Sequence, residues 1–529
     1  MHTHRWRLVV TGSALLILLL GLVSAVDAQT PQQGGTLRIG SAKDAFSLDP
    51  GETNDWASTK IYNNIYDTLV ALDEEWNIIP HVAEGWESSS DAMEWTFFLR
   101  DDVVFHDGVP LTADDVVYTF ERILNPQGFS SQKTSMIAMI DRVEAVDDYT
   151  VKFYLSIPYA PFLGAARQHI VPKHVIEEVG QAAFSRNPVG SGPFIFVEWV
   201  PDDHLTLRSN EDYWLKKPYL ASVVYRPIPE GTTAVMSLLS DEVDVLEEIS
   251  GDLLPQVEGV PGFVVSRIPA MNYYWIGFRQ FGDPYNDRTF RRMVYYALDM
   301  DEIIAAALPN DTGTRAYSIV QPGLWPRDLD YLTSHAIQQD KALAELLFEE
   351  LMARGVMTTE TEVLFWVNQD PVRERIAEIA VSELQSIGIN AVMRVSEWAA
   401  YLDALFDTQD PYLYMLGTTP KISDPDAALY WLLATGPDGG ANGNQFLGID
   451  TPWVQDLLVQ ARMTPDRETR EELYTTVQRW ALLEQVYHIP AYHTMYIHPI
   501  STRVHGLITT PIDEWWLCNA FTNVWVEAD

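Results

Sequence analysis

The stretch from Glu362 to Val395 limits the fold more than any other part of this chain. Glu362 to Val367 is a short apolar run of strand type, and Ala391 to Val395 is a second. Between them, Val372 to Ile387 places Ile376, Ile379, Ala380 and Leu384 on one face at helical spacing, and Gly388 ends the helix. Strand, helix and strand over so short a length make a βαβ unit, whose strands run parallel and whose crossover is right-handed. A helix-like Trp398 to Phe406 and a third strand, Tyr412 to Leu416, extend the pattern. Ligands of an open parallel sheet meet the loops at the carboxyl ends of its strands. Those ends carry Trp366 to Gln369, Ser396 to Trp398, and Gly417 to Lys421.

The start of the chain has a different purpose. Arg5 and Arg7 precede an apolar core from Ala14 to Val23, and Val26-Asp27-Ala28 ends in the small residue a signal peptidase requires, so residues 1–28 read as a secretory signal. The single cysteine, Cys518, excludes a disulfide framework and leaves no cysteine near the cleavage site for a lipid anchor. A soluble periplasmic protein is expected. Without the signal, 33 Lys+Arg face 73 Asp+Glu, an excess that repels phosphate backbones and excludes nucleic acid as a partner. The length of 529 residues exceeds what one core usually serves, and 17 Trp, 24 Tyr and 20 Phe argue against disorder. Two or three domains are expected, without repeats or low-complexity spacers.

Further elements can be read in order. Gly35 to Ile39 is a strand and Trp56 to Leu69 a helix. Trp95, Phe97 and Leu99 alternate onto one face of a strand. Asp107-Gly108 then suits a turn of positive φ, and Thr112 with Asp115 forms a capping box for a helix bearing Val116, Val117, Phe120 and Leu124. Tyr149 to Leu155 is a strand, Pro172 to Glu178 a short helix, and Pro188 to Trp214 a glycine loop with a hairpin.

The string from Trp95 to Arg122 resembles the signature block of the extracellular solute-binding proteins of family 5, the periplasmic dipeptide-, oligopeptide- and nickel-binding proteins of ABC importers. Gly35 to Gly40, Pro188 to Trp214 and Asp283 to Asp299 resemble the same family, and the matches run from residue 35 to beyond residue 500. The resemblance implies an α/β, two-lobed periplasmic-binding-protein fold of three domains, with the ligand cleft between the lobes. A discontinuous domain I would use residues 35–66, 195–282 and 489–529, an inserted domain II residues 67–194, and an α/β domain III residues 283–488. The hinge crossings would lie near Gly282 to Tyr285 and His488 to Tyr492. It also implies a monomer that encloses a small solute, a peptide or peptide-like one first, and delivers it to the permease subunits. A sugar or glycoside, an opine, a metal chelate or a signalling role remain as alternatives.

Three departures from the family bear on the ligand. Peptide-binding members hold the ligand's amino terminus with an aspartate three residues before an acidic-proline step. Here the step is Asp424-Pro425-Asp426, and Lys421 stands in the aspartate's place. Dipeptide binders place an arginine at the end of the strand matching Glu362 to Val367, where this chain has Asn368 and Gln369, neutral amides suited to hydroxyls and carbonyls. Arg279 follows Phe278 where an asparagine is frequent. Flat faces at Trp56, Tyr273 to Trp275, Trp366 and Trp398 are expected to stack on a ligand. The candidate binding set is therefore Trp56, Tyr273, Trp366, Asn368, Gln369, Trp398 and Lys421. His488, His493 and His498 are spaced by five, which alternates faces on a strand and does not suit one metal site. Gly190-Ser191-Gly192-Pro193 lacks the residues of a phosphate loop or a nucleophile elbow. No cofactor, metal or catalytic residue is expected.

Overall fold

The computed structural model describes residues 30–53, 55–125, 139–420, 422–435, 448–449, 451–511 and 521–527. The βαβ unit consists of strand Glu362–Asn368, helix Pro371–Ser386 and strand Asn390–Ser396, with the strands parallel from Glu362 opposite Asn390 to Asn368 opposite Ser396. Ile376, Ala380 and Leu384 are buried beneath the helix, and Gly388 takes φ +88° just beyond it. Strand Leu413–Thr418 joins the other side of Glu362–Asn368, again in parallel.

Beyond it the sheet turns antiparallel. Strand Tyr273–Phe278 pairs with Leu413–Thr418 on one edge and with the 14-residue strand His488–Ser501 on the other. That long strand also pairs with Phe263–Pro269, Gly313–Arg315 and Val245–Leu246, and the last leads to Thr36–Ser41, Ser222–Pro227, His204–Ser209 and Phe194–Val200. One twelve-stranded sheet therefore runs through both halves of the molecule.

A separate four-stranded sheet, ordered Ala83–Ser88, Glu94–Leu99, Thr150–Leu155 and Ile140–Asp147, buries Trp95, Phe97 and Leu99 on one face. Helix Ala113–Leu124 covers it and begins as the capping box requires, with the Thr112 backbone N–H donating to the Asp115 carboxylate at 3.0 Å. The other Asp115 oxygen accepts from the Lys173 N–H at 3.0 Å, so one carboxylate holds the starts of two helices.

The helix read over Trp56 to Leu69 ends at Tyr62. Its continuation is overridden from outside, because the Asn64 and Ile65 carbonyls accept from the Phe194 and Gly192 N–H groups instead of serving an intrahelical ladder. The glycine loop is thus explained by close approach as well as by turning. A Cβ on Gly190 would lie 2.0 Å from the Ile65 carbonyl oxygen, and one on Gly192 would lie 2.7 Å from the Ile65 carbonyl carbon.

The cores interlock. Ile422 lies in the apolar cluster of the four-stranded sheet, whereas Trp76, at the tip of the hairpin between strands Val70–Leu72 and Ile78–Pro80, lies in the cluster built around Trp275, Tyr414 and Tyr474.

Candidate functional site

Strand directions along His488–Ser501 locate the cleft. Leu413–Thr418 and its parallel neighbours run with the long strand, and their carboxyl ends stop near Tyr492, since Thr418 pairs with Tyr273 and Tyr274 with Tyr492. Thr36–Ser41 and Val245–Leu246 run against it, with Val245 opposite Ile500, so their carboxyl ends point back toward Tyr492. Two sets of parallel strands thus aim their ligand-meeting ends at one gap. The eight steps along the long strand from Tyr492 to Ile500 span roughly 26 Å. Only Thr494, Met495 and Tyr496 in this strand are half-buried; the rest is buried, so the middle of the strand forms the floor of the gap.

In the segment that follows the carboxyl end of Thr36–Ser41, Phe46 and Trp56 are exposed over 65% and 46% of their surfaces. The Phe46 N–H donates to Ser58 Oγ at 2.9 Å, which fixes this segment against helix Trp56–Tyr62. Nearby, Lys60 and Glu247 form a buried ion pair at 3.2 Å.

One side of the gap is built around Arg373. This side chain lies in the first turn of helix Pro371–Ser386, and because helical side chains lean toward the amino end, it reaches back to the strand terminus. Its Nη1 donates to Asn368 Oδ1 at 2.6 Å, and its guanidinium carbon sits 5.4 Å from the Tyr274 ring centre and 5.6 Å from that of Trp398. Tyr274 stacks on Tyr492 at 4.4 Å with the rings 3° from parallel. Gly417 makes room for it, since a Cβ there would lie 2.3 Å from the Tyr274 ring. Arg373 is 8% exposed, its Nε has no hydrogen-bond partner, and no carboxylate among the described residues pairs with it. A buried cation held by a neutral amide, two aromatic faces and the Tyr492 hydroxyl, with no carboxylate beside it, is suited to an anionic group.

The residues expected from the sequence fall into distinct places. Trp398 is 43% exposed and belongs to the Arg373 wall. Asn368 is buried as the partner of Arg373, and Gln369 is exposed, with its N–H donating to the Ser396 carbonyl at 2.9 Å. Trp366 is half-buried, donates to Ser396 Oγ at 2.9 Å and lies 4.6 Å under the Arg394 guanidinium. Tyr273 is fully buried and stacks on Trp275 at 5.2 Å; the two-residue period of the strand turns it to the core and Tyr274 to the Arg373 side. Lys421 lies outside the described residues. The neutral strand end is not uncharged in three dimensions, because Arg373 returns a cation to it. Tyr274 falls within the aromatic run expected from the sequence, whereas Arg373 and Tyr492 were missed, and the available signal was an arginine placed one turn after the Asp370 cap.

The acidic-proline step is occupied internally. Asp424 accepts from Arg470 at 2.7 and 2.9 Å, and Asp426 from Arg462 at 2.8 and 2.9 Å; burial pushes the Asp426 carboxyl up against the pull of Arg462. The Ala160 N–H donates to the Arg462 carbonyl at 2.6 Å, which ties this step to the region of the four-stranded sheet. His488, His493 and His498 all lie on the long strand and are buried, and burial lowers them to about 3, 4 and 4. Among the described residues no group of three His, Cys, Asp or Glu is arranged to hold a metal ion, and no helix is long and apolar enough to cross a membrane.

Comparison with known proteins agrees with this architecture. The family model described as bacterial extracellular solute-binding proteins, family 5 Middle, matches residues 77–440. The chain is similar to the oligopeptide-binding protein AppA of Bacillus subtilis, with 28% identity over 522 residues and 93% of each chain covered. It is also similar to the dipeptide-binding protein of Escherichia coli, 26% identical over 98% of this chain and 100% of that one. Among solved structures, HbpA2 from Haemophilus parasuis shares the fold with a TM-score of 0.83 at 24% identity, covering 93% of this chain and 100% of its own.

Proposed function

Because the chain belongs to family 5 of the bacterial extracellular solute-binding proteins, we propose that it is the receptor of an ABC importer that encloses a peptide or peptide-like solute and passes it unaltered to the permease. The observation that carries this reading is the pair of opposed carboxyl ends along His488–Ser501, which gives a guest contacts on both sides of one gap. A ligand stabilises closure only through contacts it gains from both lobes. The lobes follow the expected boundaries, residues 35–66, 195–282 and 489–529 with the inserted 67–194 in one and 283–488 in the other, except that the crossing strand Tyr273–Phe278 pairs with Leu413–Thr418 and joins the second. Residues 1–28 export the chain to the periplasm, where it acts as a monomer.

Arg373 receives the solute's carboxylate, Asn368 orients the guanidinium, and Trp398 and Tyr274 exclude water from the pair. Trp56 and Phe46 meet the solute from the opposite lobe, and Gln369 borders the same gap. The Bacillus and Escherichia relatives, named for oligopeptide and dipeptide binding, favour a peptide over a sugar.

Native mass spectrometry of protein purified from its own cells identifies the guest, and calorimetry with di-, tri- and nonapeptides, each as free acid and as C-terminal amide, tests the site. Free acids are expected to bind in preference to amides. Arg373→Met is expected to cost them about 2–5 kcal/mol, the range for truncating one partner of a buried charged pair. Equal binding of acids and amides removes Arg373 from the reading, and conversion of a bound solute removes the receptor itself.

A further inference from the structure

Arg279 departs from the family pattern, and its surroundings show why an arginine is there. It directly follows the crossing strand Tyr273–Phe278, is fully buried, and is among the largest side chains with no solvent exposure. No carboxylate pairs with it among the described residues. Its hydrogen bonds all go to backbone carbonyls of one short stretch: Nε donates to Asp410 at 3.1 Å, and Nη1 and Nη2 donate to Leu405 and Thr408. Its own backbone N–H donates to the Tyr412 carbonyl at 2.9 Å, and the guanidinium lies between the Phe281 and Tyr412 rings at 4.8 and 5.1 Å.

These acceptors sit at and just beyond the carboxyl end of helix Trp398–Asp407. The carbonyls of a last helical turn have no intrahelical donors and carry the negative end of the helix dipole, so a planar cation with several donors is well suited to closing them. The amino end of the same helix is capped by the Glu397 carboxylate, which accepts from the Ala399 N–H at 2.9 Å, and carries Trp398. The helix is ten residues, roughly 15 Å, long. One end thus reaches the candidate ligand wall while the other is closed from the strand that crosses between the lobes.

We infer that Arg279 is a positioning residue for solute binding: it locks helix Trp398–Asp407 to the crossing strand and so fixes Trp398 against Arg373. The inference rests on the reading of Trp398 as part of the ligand wall. Asparagine at this position is too short to reach three carbonyls spread over six residues, so the lock belongs to this chain's version of the wall.

The test uses the full mature chain labelled with 5-fluorotryptophan, with the Trp398 fluorine resonance identified by its loss in Trp398→Phe. Arg279→Met is expected to shift or broaden that resonance, to leave Trp95 unmoved, and to speed amide exchange over residues 402–410 at least tenfold; Arg279→Lys is expected to restore most of both. Faster exchange with an unmoved Trp398 resonance overturns the inference, since Arg279 then only closes its local turn. If Arg279→Met does not fold, Arg279→Gln, which keeps a polar donor but cannot reach the three carbonyls, decides alone: a shifted Trp398 with Trp95 unchanged upholds the lock, and an unchanged spectrum overturns it. Trp398→Ala that retains the co-purified solute with unchanged affinity refutes the ligand wall and leaves the Arg279 result standing.

Discussion

Acid should unfold this protein early, and the three histidines of the long strand give the magnitude. His488 has neither ring nitrogen hydrogen-bonded and lies 5.1 Å from the Trp275 ring centre, and burial lowers it to about 3; His493 and His498 are lowered to about 4, also by burial. In the unfolded chain each titrates near 6.5. Above that value all are neutral in both states and cost nothing. As pH falls below it the unfolded chain takes up protons that the folded chain refuses, so stability declines until the folded values are reached. At pH 5 each histidine destabilises the fold by about 2 kcal/mol, roughly 6 kcal/mol for three, a large share of a typical total of about 5–15 kcal/mol. His488→Phe removes one of these titrations and gives up no hydrogen bond. Urea unfolding followed by tryptophan fluorescence at pH 7.5 and pH 5 should show the variant gaining about 2 kcal/mol relative to the parent between the two conditions, whatever the fixed offset from repacking. An unchanged difference at the two pH values would mean that His488 is protonated in the fold or partnered through water, and the argument would fail.

Two other substitutions test the packing. Gly190→Ala should destabilise by at least about 2 kcal/mol, because its new methyl group meets the Ile65 carbonyl; Gly85→Ala, which meets nothing within 4 Å, should stay within about 0.5 kcal/mol by the same urea titration. Arg470→Met strands the buried Asp424 carboxylate and should cost about 3–5 kcal/mol, whereas combining it with Asp424→Asn should cost clearly less than the sum; additive losses would show that the two do not act as a pair.

The legible parts of this chain were those where local chemistry and tertiary structure agree. The βαβ unit, the alternation at Trp95, Phe97 and Leu99, and the Thr112–Asp115 box each need only neighbours within a few residues. Trp56 to Leu69 misled because the carbonyls of Asn64 and Ile65 are claimed by residues far along the chain. The candidate wall was partly legible. Its strand ends were located by topology, but which of Tyr273 and Tyr274 faces it depends on register, and Arg373 belongs to it through the backward lean of a helical side chain. The opposition of the two sets of strand ends was out of reach, because it depends on one strand pairing with partners drawn from across the sequence.

That strand has a consequence for how the molecule can change over time. Both halves take their orientation from a single continuous ribbon, His488–Ser501, whose residues alternate sides. Deleting one residue between Tyr492 and Ile500 would not merely shorten the connection; it would turn the following half over relative to the first, presenting its polar face where its oily one belongs. Loops at the rim are free to lengthen and diversify, while this ribbon is confined to changes that keep its parity.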